Sequence, residues 1–69
     1  MSNHVYKTIE LTGSSKKSSD EAVRVALSRA AKTIQGMRWF EVVGTRGHLE
    51  SGKIAHWQVT LKIGFALKD

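Results

Sequence analysis

No cysteine occurs in the 69-residue chain, so no disulfide can staple it. Its three histidines, His4, His48 and His56, have no cysteine or close acidic partner at zinc-type spacing, and a structural metal is not expected. Acidic residues are few, six against eleven Lys and Arg, giving a net charge of +5. That balance favours an anionic partner: a nucleic acid, a phosphorylated ligand or a membrane surface. No Ser-His-acid or Gly-rich phosphate-loop spacing is present, so the chain is not expected to be an enzyme. No apolar run approaches the roughly 20 residues that span a bilayer. The N-terminus lacks the basic, apolar, small-residue order of a secretion signal, and the expected location is the cytoplasm.

A chain of this length forms one domain, residues 1–69, and hides only about 60% of the surface its unfolded form exposes. Small proteins make good such a deficit with disulfides, a structural metal or association with copies of themselves. With the first two set aside, self-association is the expected remedy.

The order of elements follows from periodicity. His4 to Thr12 alternates Val5, Ile9 and Leu11 against Tyr6, Thr8 and Glu10, with Lys7 the one charge on the apolar side, which predicts a first strand. The polar stretch GSSKKSS predicts a loop, and Ser18-Ser19-Asp20-Glu21 fits a reciprocal capping box that starts a helix. Val23, Leu27, Ala30 and Ile34 form one apolar stripe on it, and Gly36 is the expected stop. Two long runs follow, Met37 to Glu50 and Lys53 to Leu67, joined by a turn at Ser51-Gly52. The expected class is α+β: β-α-β-β, a three-stranded antiparallel sheet packed on one helix, with the third and most apolar strand in the middle.

That turn sets a register. One face carries Phe40 opposite Ile63, Val42 opposite Leu61, Gly44 opposite Val59 and Arg46 opposite Trp57; this apolar face takes the helix. The other carries Trp39 opposite Gly64, Glu41 opposite Lys62, Val43 opposite Thr60 and Thr45 opposite Gln58. Neighbouring side chains on a strand point opposite ways, so with Phe40 in the core Trp39 must face away from the helix. Gly64 beneath it lets a flat object lie close to the backbone, and Gln58 offers a donor beside an acceptor. An indole face stacks on planar heterocycles, and a primary amide complements a cyclic imide edge. These residues fit a flat, conjugated, polar-edged ligand; simple packing between subunits is the bland alternative. Arg46 is left open. Its stem packs on Trp57 with the head in water, or a bulge at Gly44 or Gly47 turns it to the Trp39 face, or it reaches a ligand on a neighbouring subunit.

The stretch RWFEVVGTRGHLESGKIAHWQVTLKIGF, preceded by SNHVYKTIELTGSS and a helix containing SRAAKTI, resembles the dodecins, small flavin-binding proteins of bacteria and archaea. The likeness spans nearly the whole chain through three ordered blocks, WFEV, RGH and QVTLKIGF. It implies assembly into a hollow dodecamer, with two flavins stacked at each two-fold axis between paired tryptophans. Trp39 matches that tryptophan, Gln58 the glutamine that bonds the pyrimidine end of the isoalloxazine, and Arg46 an arginine near the flavin in bacterial members. Thr45, opposite Gln58 in the register above, completes the candidate cofactor-binding residues. The implied function is flavin storage, buffering and photoprotection. FMN is the first ligand expected, riboflavin and lumichrome are competitors, and FAD enters only if its adenine half finds room. Many bacterial members carry an arginine after GF where this chain has Ala66, a change that would weaken binding or loosen a preference for a phosphorylated flavin.

Lys16, Lys17, Arg24, Arg29 and Lys32 read as a solvated outer face, and a phosphate-rich second ligand there, coenzyme A, is a further implication of the likeness. His48, near the turn, reads as a strand-end residue rather than a proton shuttle. His56 falls on the Gln58 face, where it either packs or meets a neighbour or ligand. The rival from another class is a small basic nucleic-acid-binding module that uses exposed aromatics on its sheet, which would bind with steep salt dependence. An empty scaffold whose tryptophans serve subunit contacts alone is a third possibility.

Overall fold

The computed structural model describes residues 3–67. Their order is β1 (Tyr6–Ser15), α1 (Ser19–Ala30), β2 (Met37–Glu50) and β3 (Lys53–Ala66). The three strands form one antiparallel sheet in the order β1-β3-β2, so the most apolar strand is central, as its composition predicts. Ser51 and Gly52 make the hairpin turn, both with positive φ, 51° and 75°. That is the turn whose twist matches two antiparallel strands.

The first strand runs three residues beyond Thr12. Gly13, Ser14 and Ser15 have no alternation to mark them as strand, yet they pair with Val59, Gln58 and Trp57 because β3 offers a ladder that long. The helix starts as its sequence predicts: the Ser18 hydroxyl accepts from the Glu21 amide at 3.0 Å. The reciprocal half of the box is replaced, since the Glu21 carboxylate turns to Arg24, 3.6 Å away. The helix ends at Ala30 rather than near Gly36. Its hydrogen bonds tighten there, Lys32 donating to Arg29 and Thr33 to Ala30, where β-branched Thr33 and Ile34 disfavour another turn. Gly36, at φ 79°, instead swings the chain into β2.

The buried helix stripe also differs from expectation. Ala22, Ala26 and Ala30 are the buried residues of α1, and Val23 and Leu27 flank them half-buried. The cause is Gly13. A Cβ there would overlap the Ala22 carbonyl oxygen and lie 2.8 Å from the Ala26 Cβ. Helix and strand therefore meet backbone to backbone, and only alanine fits between them. Opposite, Val59, Leu61 and Ile63 of β3 are almost fully buried.

The helix is about 18 Å long, whereas each strand of the hairpin extends about 46 Å at ordinary rises. It packs on β1 and β3 and cannot cover the hairpin. Phe40 and Val42, expected beneath it, are each 47% exposed, and at the hairpin tip Leu49 and Ile54 are 63% and 56% exposed.

Candidate functional site

After an irregularity between Met37, which pairs with Phe65, and Trp39, the register of β2 on β3 runs as the turn length predicts, with Trp39 on Gly64, Phe40 on Ile63, Glu41 on Lys62 and Val42 on Leu61. An extra residue, Val43, then bulges from β2 between Val42 and Gly44, and a compensating irregularity at the His48/Leu49 step restores the register. Between the two, alternation is inverted. Gly44 pairs with Thr60 rather than Val59, Thr45 with Val59 rather than Gln58, and Arg46 with Gln58 rather than Trp57. The bulge thus turns Arg46 onto the face away from the helix and sends Thr45 to the other, so Arg46, not Thr45, stands beside Gln58.

On this face the Arg46 guanidinium donates through Nη2 to the Thr60 hydroxyl at 3.2 Å, and Thr60 in turn bonds Thr12 at 2.9 Å. The arginine runs along the sheet to this hydroxyl and stays exposed. Thr60 falls on this face in the register set by the turn, and alternation along β1 places Thr12 outward beside it.

Trp39 lies on the same face, 40% exposed, with its indole across Gly64; any Cβ at that glycine would overlap the ring. Tyr6 meets the indole edge-on, with centroids 6.0 Å apart and planes at 69°. This is a favourable aromatic geometry that helps hold the indole plane. Tyr6 joins the candidate site, and its signal is in the sequence: it alternates outward on β1, the strand that flanks β3.

Gln58 is half-buried, with its side-chain nitrogen 3.4 Å from His56 Nε2. The His56 ring stacks on His48 across the hairpin, centroids 4.9 Å apart and planes at 16°. Gln58 is six residues from Gly64 along β3, about 20 Å in an extended strand. One chain therefore presents two separate features, an indole platform at one end of the sheet and an amide flanked by Arg46 and His56 towards the other.

The five cations of the loop and helix, Lys16, Lys17, Arg24, Arg29 and Lys32, are all exposed. Among the described residues no group of three or more His, Cys, Asp or Glu is placed to hold a metal ion, and no helix is long and apolar enough to cross a membrane.

Residues 5–68 match the Dodecin family model. The chain is 40% identical to a dodecin of Thermus thermophilus over 65 residues, 94% of each chain. Its fold superposes on dodecin from Streptomyces davaonensis with a TM-score of 0.90 and 47% identity, covering 99% of this chain and all of that one. Dodecin from Streptomyces coelicolor gives a TM-score of 0.92 and 49% identity, with coverage of 100% and 99%. With sequence and fold in agreement over nearly its whole length, the chain belongs to the dodecin family.

Proposed function

We propose that this protein binds flavins without turning them over, stacking them in pairs between the Trp39 rings of two copies and quenching their excited state. The observation that carries the function is the indole placed across Gly64, packed at 69° against the Tyr6 ring and 40% exposed. A conjugated tricycle seated there is in van der Waals contact with the best π-donor among the side chains. On excitation the indole passes an electron to the isoalloxazine and takes it back, returning both to the ground state with no net redox change. FMN suits the cationic chain best, and riboflavin and lumichrome fit the same slot.

The length of strand between Gln58 and Gly64, about 20 Å at the ordinary rise per residue, gives the site its form. One ring stacked on the indole does not reach the amide of the same chain, so the pyrimidine edge is met by Gln58 of a second copy, related by a two-fold axis. Two chains then supply two indoles and two amides to two flavins, one flavin per chain. Arg46, beside Gln58 and held by Thr60, places a positive charge at the amide end of the slot. Thr45, turned to the other face by the bulge, is left out of the contact set. The exposed Phe40, Val42, Leu49 and Ile54 support the assembly, since a lone chain leaves them in water and packing of further copies into a dodecamer removes them from it.

Gln58→Ala is expected to cost about 1–3 kcal/mol of riboflavin affinity, because the imide N–H and a ring carbonyl lose their partners in a dry slot. Calorimetric titration of both proteins with riboflavin checks this, and an unchanged dissociation constant would exclude the amide from the site.

A further inference from the structure

A phenol and an indole meet on this sheet because the strand between them is nearly bare. Tyr6 lies opposite Ala66 and Trp39 opposite Gly64, so both rings stand on the face away from the helix, on either side of β3. Their strands are two spacings apart, about 10 Å, and the partners they have on β3 are an alanine and a glycine. The rings bridge that gap and meet at 69° with centroids 6.0 Å apart. Tyr6 is the single tyrosine of the chain, and among the described residues it is the one aromatic ring paired with this indole.

Indole and phenol are among the side chains most easily oxidised by one electron, and the chain has no cysteine to compete with them. We infer that Tyr6 is a secondary electron donor that restores Trp39 after the indole has lost an electron; this rests on the flavin reading above for the oxidant and adds a repair path to that site. Tyr6 acts through the indole and not on the ligand.

An electron that the indole passes to an excited flavin ordinarily returns. One captured by dioxygen, which becomes superoxide, does not, and the indole is left as a radical cation open to irreversible oxidation. The Tyr6 phenol supplies the missing electron. Its O–H bond breaks, the proton passes to water, which reaches a residue 42% exposed, and the products are an intact indole and a phenoxyl radical. The transfer runs downhill near neutral pH because the phenol gives up its proton together with its electron. A soluble thiol then gives the phenoxyl oxygen a hydrogen atom, re-forming the O–H bond and leaving a thiyl radical that pairs with a second one as a disulfide. Trp57 has no such protection: it stands seven residues from Gly64 along β3, opposite Gly47, and is paired with no aromatic ring among the described residues.

The test needs no flavin. Azide radicals made by pulse radiolysis take one electron from indoles in preference to phenols, and Trp57→Phe leaves Trp39 as the single indole beside the single phenol. In that variant the indolyl absorption is expected to decay as the phenoxyl absorption rises, at a rate independent of protein concentration. Adding Tyr6→Phe keeps the ring and removes the hydroxyl; the phenoxyl signal is expected to be lost and the indolyl radical to persist. Wild type against Tyr6→Phe alone gives the same comparison over a constant Trp57 background, so the result does not depend on how Trp57→Phe folds. Indolyl decay at the same rate with and without the Tyr6 hydroxyl, or a phenoxyl rise that scales with protein concentration, would overturn the assignment. Under illumination in air with riboflavin, Tyr6→Phe is expected to lose intact Trp39, counted by peptide mass, faster than the wild type, and equal loss with riboflavin bound would overturn the repair role. Failure of the flavin reading shows differently, as no riboflavin binding while transfer from phenol to oxidised indole still occurs in the ligand-free protein.

Discussion

Trp39→Ala is expected to restore the fluorescence of whatever flavin still binds and to weaken binding by about 10- to 100-fold. The second figure follows from stacking on an aromatic side chain, worth about 1–3 kcal/mol per base when measured by alanine substitution in nucleic-acid complexes. The first follows from the electron-transfer role: the Tyr6 ring is tilted 69° to the indole, so it does not lie parallel to a ring stacked on that plane and is not placed to take over as donor. Emission of riboflavin at saturating protein separates the two effects. Persistent quenching in the variant would remove Trp39 from the site whatever happened to the affinity.

Gly13→Ala is expected to be the most damaging single change to the fold. The added methyl overlaps the Ala22 carbonyl oxygen, which is backbone and cannot swing aside, and crowds the Ala26 methyl at 2.8 Å. Helix and strand must separate, opening the contact over Val59 and Leu61. Overpacking of this kind typically costs about 1–3 kcal/mol and occasionally more, a large share of the stability of so small a chain. Gly47→Ala provides the contrast, since its Cβ would have nothing nearer than 3.9 Å and should change stability by no more than about 0.5 kcal/mol. Thermal unfolding of the two variants beside the wild type checks this; equal midpoints would refute the close approach at Gly13.

The strand order, the hairpin turn and the outward direction of Trp39 were legible because each rests on a strong local signal: period-two alternation, a Ser-Gly pair between two long runs, and the parity of two adjacent aromatics. The inverted segment was not. A bulge at Val43 adds one residue without altering composition or apolar content, and Val42-Val43-Gly44 reads equally well with or without it. Only the compensating irregularity at the far end of the hairpin, which brings His48 opposite His56, makes the inversion visible. The alanine stripe of α1 escaped for a different reason. Patterns weighted by side-chain size pick out Val23 and Leu27, whereas the closest packing lies where Gly13 admits nothing larger than a methyl group. The distance between Trp39 and Gln58 was legible all along, since the same register that opposes Trp39 to Gly64 also places Gln58 six residues away.

Fluorescence titration of FMN and of riboflavin with the wild-type protein, at about 50 and about 200 mM salt, tests the central claim most directly. Emission is expected to fall nearly to zero at one flavin per chain, with the same endpoint for both ligands and little change in the riboflavin curve between the two salts. A nucleic-acid module neutralising about six to ten phosphates would instead lose about 10³–10⁵-fold in affinity for its own ligand over that range. Undiminished emission with protein in excess would contradict the stacked-flavin account, since an open indole that met the ring could not leave it fluorescent.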